Sequence, residues 1–457
     1  MSRKHIKSRK VALPVLNPDA AGIDIGATEI YVAVPPDRDP EPVRRFATFT
    51  QDLAGLADWL QQCRIRTVAM ESTGVYWIPL MQMLEDRGLE TYLVNAKHVK
   101  NVPGRKTDVS DCQWLQYLHA VGLLRPSFRP SQDVCALRSL MRHRDSLIEL
   151  ATCHVQHMQK ALDQMNLQLH HVISDITGTT GLAIIDAILE GERDVNKLAA
   201  LRDPRVRASH DTIAKSLVGD YRREHLFTLK QSLALYRQHQ QRITDCEKEM
   251  QEMMKALETK ADVSKPTPVA KDSIKKCKVM KPAIALALHE QAYRILGVDL
   301  TTIPGVSVLH VQAVLSELGP DLSKFRSAAA FSSWMGLCPD NNISGGRILS
   351  SGTRKVKNRI ALALRMAAQS LQNSVSALGD CYRRLRARLG PASAITAVAH
   401  KLARIIYHLL TTRKPYDDSV FAKAEETYRK RIESRLNAQA KALGFTLVPS
   451  IQGERGE

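Results

Sequence analysis

Ala21–Pro35 reads AGIDIGATEIYVAVP. Two runs rich in Ile, Val and Tyr flank a glycine-containing turn, and that arrangement predicts a β-hairpin. Thr67–Met70 (TVAM) and Glu90–Val94 (ETYLV) read as further short strands, with helical spacing over Leu53–Cys63 and Trp77–Arg87. Strands alternating with helices to about Pro126 predict an α/β domain.

From Ser131 the strand signal stops. Ala136–Met165 carries apolar residues at helical spacing with charges between them, and a second such stretch spans about Tyr221–Leu257. Two long amphipathic helices predict a coiled coil, formed antiparallel within the chain or between chains. Glu258–Pro282 is polar, Lys-rich and punctuated by Pro, so it reads as a linker or exposed loop. Helices resume to about Arg431, and Ile432–Glu457 reads as a loosely held tail. Ile176–Leu189 (ITGTTGLAIIDAIL) and Ile303–Leu318 (IPGVSVLHVQAVLSEL) form a weak internal repeat. Each places a Gly after an Ile and then opens an apolar helix, as in one helix-hairpin-helix. Such a turn either holds a phosphate at a helix N-terminus or simply starts a core helix. The basic segment that follows the second copy favours a nucleic-acid role for it.

The charge balance narrows the class of partner. Lys and Arg number 65 against 47 Asp and Glu in 457 residues, a net +18 and a pI near 9.6. An excess of that size favours a polyanion, because each neutralised phosphate releases counterions. The cations cluster, in RKVKNR at Arg354–Arg359 and RRLRAR at Arg383–Arg388. Eight cysteines without a CxxC pair fit reduced thiols and neither a zinc site nor a disulfide framework. No apolar run reaches the ~18 to 20 residues of a membrane span, and MSRKHIKSRK lacks a signal peptide's apolar segment, so a cytoplasmic protein is expected.

Four carboxylates stand in unusual places. Asp24 sits inside the apolar strand GIDIG, where an unpaired charge costs about several kcal/mol unless a cation or dense hydrogen bonding compensates. Glu71 ends the apolar run TVAM. Asp108 and Asp111, in GRKTDVSD, share one face if a helix begins near Asp108. Singly, Asp108 reads as a helix N-cap and Asp111 as a solvated first-turn acid. Together the four could converge at one end of a sheet, where they would repel one another without a metal. Oxygen ligands suit Mg²⁺ or Mn²⁺.

The order of GIDIG, MESTGVYW and KTDVSD resembles the DEDD signature of the RuvC-like, RNase H-fold domain of insertion-sequence transposases of the "one-ten" family, the bridge-RNA-guided DNA recombinases. The resemblance continues through IPGVSVLHVQAVLSELGPDLSKFRSAAAFSSWMGLCP, NNISGGRILSSGTRKVKNRIALALRMAA and AHKLARIIYHLLTTRKPYD, in that order. It covers roughly residues 18–130 and 296–420. The fold it implies is a RuvC-like α/β domain over 18–128. A long helical, coiled-coil-like middle then spans 129–295. A mostly α transposase domain with a helix-hairpin-helix-like element follows over 296–425, and a tail over 426–457.

In ISGGRILSSGTRKVKNR, Ser344 precedes two glycines that permit close backbone approach. By itself the stretch reads as a flexible polar turn, with Ser350 and Ser351 as competitors nearer the cations. The resemblance implies that Ser344 is the nucleophile, attacking a phosphodiester to give a phosphoserine link that preserves bond energy for rejoining. By analogy and charge, Arg347, Arg354, Lys355 and Arg359, with Arg105 and Lys106 beside the acids, would contact the nucleic acid. Lys357 departs from the family, which commonly has Gly there. The middle is also longer than in many members: 233 positions separate Asp111 from Ser344.

The resemblance implies a Mg²⁺-dependent DNA recombinase, with Asp24, Glu71, Asp108 and Asp111 holding the metal. A structured noncoding RNA would supply sequence specificity by base pairing. It also implies a homo-oligomer, dimer or tetramer, with composite active sites. Two enzyme rivals stand beside it. DIGAT resembles the first phosphate loop of actin-like sugar kinases, but no second Gly-rich phosphate loop follows. A RuvC-like metal-dependent nuclease would need no serine. A third rival is a noncatalytic nucleic-acid-binding protein, against which the presence of all five groups counts.

Overall fold

The computed structural model describes residues 13–72, 74–95, 99, 110–262, 264, 266–275, 280 and 282–447. The chain forms two compact units that divide between Arg129 and Pro130.

The first unit is a five-stranded mixed sheet. Its strands are β1 (Ala20–Ile25), β2 (Glu29–Ala33), β3 (Val43–Ala47), β4 (Thr67–Glu71) and β5 (Glu90–Val94), in the order β3-β2-β1-β4-β5. β1, β2 and β3 pair antiparallel, whereas β4 pairs parallel to both β1 and β5. This order and these directions are those of an RNase H-like domain. The hairpin read from AGIDIGATEIYVAVP closes through a Gly26 amide to Glu29 carbonyl bond of 2.9 Å. β2 alternates as an antiparallel strand should, with Ile30 and Val32 buried and Tyr31 exposed. β3 carries no such signal, because Val-Arg-Arg-Phe-Ala hides its period under two arginines. Arg44 lies 4.9 Å over the Trp59 ring and pairs with Asp39 at 3.1 Å, so its stem covers the core while its charge is matched outside.

The two sheet faces are covered by different helices. α1 (Thr50–Gln62) and α2 (Trp77–Asp86) pack Leu53, Leu56, Leu60, Leu80 and Leu84 against Ile23, Ile25, Val68 and Met70. α3 (Asp111–Ala120) covers the other face, packing Trp114, Leu115 and Leu118 on Ala69 and Val94. Because side chains alternate, Gly22 and Asp24 share the α3 face of β1, and Ala69 and Glu71 share it on β4. Gly22 is where α3 comes closest: a Cβ built there would stand 2.2 Å from the Cys112 carbonyl oxygen and the Gln116 amide.

Among its described residues the second unit is helical apart from one small hairpin and an isolated bridge between Pro339 and Thr353. α4 (Gln132–Gln164) and α8 (Arg223–Ala256) form one long antiparallel pair within the chain, in which Arg144 meets Glu247 and His154 meets His239. At its far end α5 (Thr179–Glu190), α6 (Val195–Ala200) and α7 (His210–Ser216) close around a separate core that includes Leu162, Ile184, Leu198, Ile213 and Leu229. The extra length of the middle is thus a helical cap on a helical hairpin. The Glu258–Pro282 stretch, expected as a linker, is tied down where it is described. The Lys260 and Ala261 amides donate to the Arg294 carbonyl, Lys271 Nζ donates to the Thr301 carbonyl at 2.6 Å, and Ile274 is buried.

α9 (Pro282–Leu296), α10 (Val308–Leu318), α11 (Ala328–Trp334), α12 (Arg359–Ser370), α13 (Ala377–Leu389) and α14 (Pro391–Thr412) build the remaining core. α15 (Ala422–Ala442) extends the helical content beyond the expected end near Arg431. None of the described helices is long and apolar enough to cross a membrane. The described cysteines are free thiols.

Candidate active site

β1 and β4 run parallel, with Ile23 opposite Met70, so Asp24 and Glu71 stand one step further along neighbouring strands on the α3 face. α3 begins at that edge with Asp111. The helix starts there because Ser110 is extended (φ −62°, ψ 157°) and forms a capping box: its amide and its hydroxyl both donate to Gln113 Oε1, at 3.2 and 2.9 Å. This corrects the helical-face argument for Asp108 and Asp111. The cap is Ser110, and Asp108 lies before it. Asp108, Arg105 and Lys106 lie outside the described residues.

α3 is anchored along its length. Gln116 Nε2 donates to the Ala20 carbonyl at 3.2 Å, His119 Nε2 meets Thr67 Oγ1 at 2.8 Å, and Asn17 Nδ2 donates to the His119 carbonyl at 2.8 Å. His119 is fully buried, and burial lowers its pKa to about 4, so it is neutral. Sequence reading missed His119, Asn17 and Gln116 as positioning residues, because nothing in their spacing signals which strand they meet.

Burial raises the Asp24 carboxyl above the ordinary carboxylate range, and the charge of Asp111 raises it further; a hydrogen bond from the Ile25 backbone partly offsets both. Cys112, whose thiol is pushed up first by burial, feels Asp24 as well. Asp24 and Asp111 are therefore an electrostatically coupled pair at one sheet edge, with Glu71 on the adjoining strand. Among the described residues no three His, Cys, Asp or Glu side chains stand close enough to form a metal centre by themselves. The donor set is nonetheless all oxygen, and its mutual repulsion is of the kind a hard dication relieves.

Ser344 belongs to the second unit. β6 (Asn342–Ser344) and β7 (Arg347–Ser350) form a two-stranded hairpin in which Ser344 pairs with Arg347. Gly345 (φ +54°) and Gly346 (φ +76°) make the turn between them, and a left-handed pair at the tip of a two-residue hairpin is what Gly-Gly allows. Every residue of both strands is exposed.

The basic segment after the hairpin divides into two classes. Arg354 donates to the Ser333 carbonyl and to Ser333 Oγ, and Val356 packs on Gly336. Arg359 pairs with Asp145 of α4, while Asn358 Oδ1 caps α12 by accepting the Ala361 amide at 3.0 Å. Arg354 and Arg359 thus fasten the segment to the fold. Arg347 and Lys355 are exposed, and neither has an ion pair among the described residues.

The turns of the internal repeat are occupied by their own chain. A Cβ at Gly305 (φ +82°) would stand 2.6 Å from the Ala367 carbonyl, and the Ser307 amide donates to His310 Nδ1 at 3.0 Å. In the first copy Asp175 accepts the Thr177 and Gly178 amides.

Two family models match the chain. One is the DEDD transposase model of IS110 type, over residues 21–167, and the other is described as "Transposase IS116/IS110/IS902 family", over residues 299–383. Together they span about half of the chain, and they cover both the carboxylate edge and the serine hairpin. The chain belongs to the IS110 family of transposases. No curated protein matches it. This IS110-family transposase is accordingly a DNA recombinase of an insertion sequence, and its DEDD domain implies a divalent metal.

Proposed function

We propose that this transposase cuts and rejoins DNA through a phosphoserine link at Ser344. In this reading Asp24, Glu71, Asp108 and Asp111 hold Mg²⁺, and a structured RNA of the element selects the DNA. The observation that carries the metal assignment is the coupling of Asp24 with Asp111 at the edge where Glu71 also ends its strand. Burial and Asp111 make the charged form of Asp24 costly, and a carboxylate held in such a place is expected where a cation is to be bound. A divalent cation bound there would polarise the scissile phosphate and lower the pKa of an oxygen nucleophile.

The serine chemistry is a transesterification. The Ser344 hydroxyl gives up its proton, its Oγ forms a bond to phosphorus, and the bond from phosphorus to the leaving deoxyribose oxygen breaks, with that oxygen gaining a proton. The phosphodiester energy stays in the link, so rejoining needs no nucleotide cofactor. In this reading Arg347, cross-strand from Ser344, would neutralise the phosphate under attack, and Lys355 would hold the neighbouring backbone. RNA guidance is supported by the family resemblance and by the net charge of +18, large enough for more than one polyanion.

A RuvC-like nuclease without a serine link is the second reading. What favours it is that Ser344 has no hydrogen-bonded base among the described residues. One experiment separates the two. Purified protein, the element's junction DNA, the flanking RNA and Mg²⁺ should yield a covalent protein–DNA adduct that Ser344→Ala abolishes. Cleavage by Ser344→Ala without any adduct would establish the nuclease instead, and an unchanged reaction without RNA would end the guided mechanism.

A further inference from the structure

The hairpin that carries Ser344 has a second face. Cross-strand pairing sets Ile343 against Ile348 and Ser344 against Arg347, so the two isoleucines share the face opposite the serine and the arginine. Ile343 is 62% exposed and Ile348 60%, and Leu349, at the irregularity beside Asn342 and Ile343, is 71% exposed. Isolated two-stranded hairpins are marginal in water, and three bare aliphatic side chains on one of them offer apolar surface to a partner.

The charge around the hairpin says what that surface is. From Asn341 to Arg359 the chain carries Arg347, Arg354, Lys355, Lys357 and Arg359 and no carboxylate. Arg359 is matched by Asp145, but Arg347, Lys355 and Lys357 are exposed and have no ion pair among the described residues. Unmatched cations near an apolar face fit a nucleic acid, with phosphates at the cations and bases or sugars at the apolar side chains. A two-stranded ribbon is also narrow enough to enter a DNA groove. The hairpin is a single sheet thick, so a strand whose scissile phosphate meets one face can bring its adjoining nucleotide to the other.

We propose that Ile343 and Ile348 form an apolar wedge that unstacks the base step beside the scissile phosphate. The occupant is the DNA strand that Ser344 attacks, so the inference rests on the phosphoserine reading. Aliphatic wedges open base steps by replacing a stacking neighbour with a side chain. Here the opened step would free the backbone to turn its phosphate toward the hairpin's polar face. Ile343 and Ile348 are positioning residues, acting through the DNA and not on the reacting atoms.

The test uses full-length protein, the flanking RNA and a junction duplex with 2-aminopurine beside the cleavage position, held uncleaved in Ca²⁺. Fluorescence should rise on binding. An Ile343→Thr, Ile348→Thr double variant keeps β-branched strand formers and should lose most of that rise. In Mg²⁺ the same variant should form adduct roughly tenfold more slowly on the matched duplex, and a mismatch at the flanking base should restore the rate because the step is already open. No rise with wild-type protein, no loss in the double variant, or no rescue by the mismatch would each overturn the wedge. So would a change in the oligomeric state of DNA-free protein with fluorescence intact, which would make the face a contact between copies. The fluorescence arm does not depend on covalent chemistry. Adduct formation by Ser344→Ala would sink the nucleophile assignment while the fluorescence response still reported on the wedge.

Discussion

Asp111, the first residue of α3, raises the proton affinity of Asp24 on the central strand, which burial has already raised. The two carboxylates come from different elements, and the helix start imposed by Ser110 brings them together.

That coupling sets the sign of a stability effect. Asp24 has a folded-state pKa above its unfolded value, so its contribution to stability is present at low pH and is lost as pH rises through the folded pKa. At neutral pH the ionised group opposes folding. Asp24→Asn should therefore raise the thermal midpoint of the metal-free protein and remove any further rise on adding Mg²⁺, while strand cleavage falls by on the order of 10²-fold or more. A variant no more stable than wild type in chelator would contradict this.

Gly22 tests how closely α3 must approach. A methyl at Gly22 would meet α3 backbone at 2.2 Å, and backbone cannot move aside as a side chain does. Gly22→Ala should cost about 1–3 kcal/mol or more and impair cleavage by displacing Asp111. Gly55, inside α1 with open space around it, is the control, and Gly55→Ala should stabilise by about 0.5–1 kcal/mol. Urea titrations of both variants measure the contrast.

His119 gives the first unit an acid sensitivity. Its pKa falls from 6.5 to about 4 on folding, so its contribution is complete above pH 6.5 and is lost as pH falls toward 4, where the unfolded chain takes up a proton that the folded chain refuses. The loss should reach roughly 3 kcal/mol. Three of the four tryptophans, Trp59, Trp77 and Trp114, belong to this unit, so urea unfolding followed by tryptophan fluorescence in a Trp334→Phe background reports it. His119→Gln should flatten the pH dependence between 6.5 and 4.

The serine hairpin should depend on its turn without contributing to overall stability. Gly346→Ala puts a side chain at φ +76° and should slow adduct formation by on the order of 10²-fold with an unchanged thermal midpoint. Gly345→Asn should be tolerated, since Asn-Gly suits a turn with two left-handed residues.

In the helical pair, Arg144 Nε and Nη2 donate to Glu247 Oε1 at 2.8 and 2.7 Å, and both side chains are buried. Arg144→Met would strand the glutamate's charge and should cost about 3–5 kcal/mol. Adding Glu247→Met should return most of that stability, as thermal unfolding of the two variants would reveal.

Much of the fold was legible because local pattern and burial agree. The hairpin of β1 and β2, the strands β4 and β5, and the helices α1, α2, α4 and α8 follow from residue spacing that solvent and core impose directly. β3 was not legible, because Arg44 covers the core with its stem and is matched outside by Asp39. The start of α3 was not legible, because residue type alone does not say where the helix is capped, and the bonds from Ser110 to Gln113 set its start at Asp111.

The candidate site divides in the same way. The sequence by itself determined which groups have the chemistry: a carboxylate inside an apolar strand, another at a strand end, and a serine before two glycines. Tertiary structure decided their surroundings. Strand pairing puts Asp24 and Glu71 on one face, α3 brings Asp111 to that edge, and hairpin register sets Ser344 across from Arg347. It also decided that Arg354 and Arg359 fasten the basic segment while Arg347 and Lys355 face solvent. The physical reason is that side-chain chemistry is local, whereas proximity, burial and charge coupling arise between residues that only folding brings within reach.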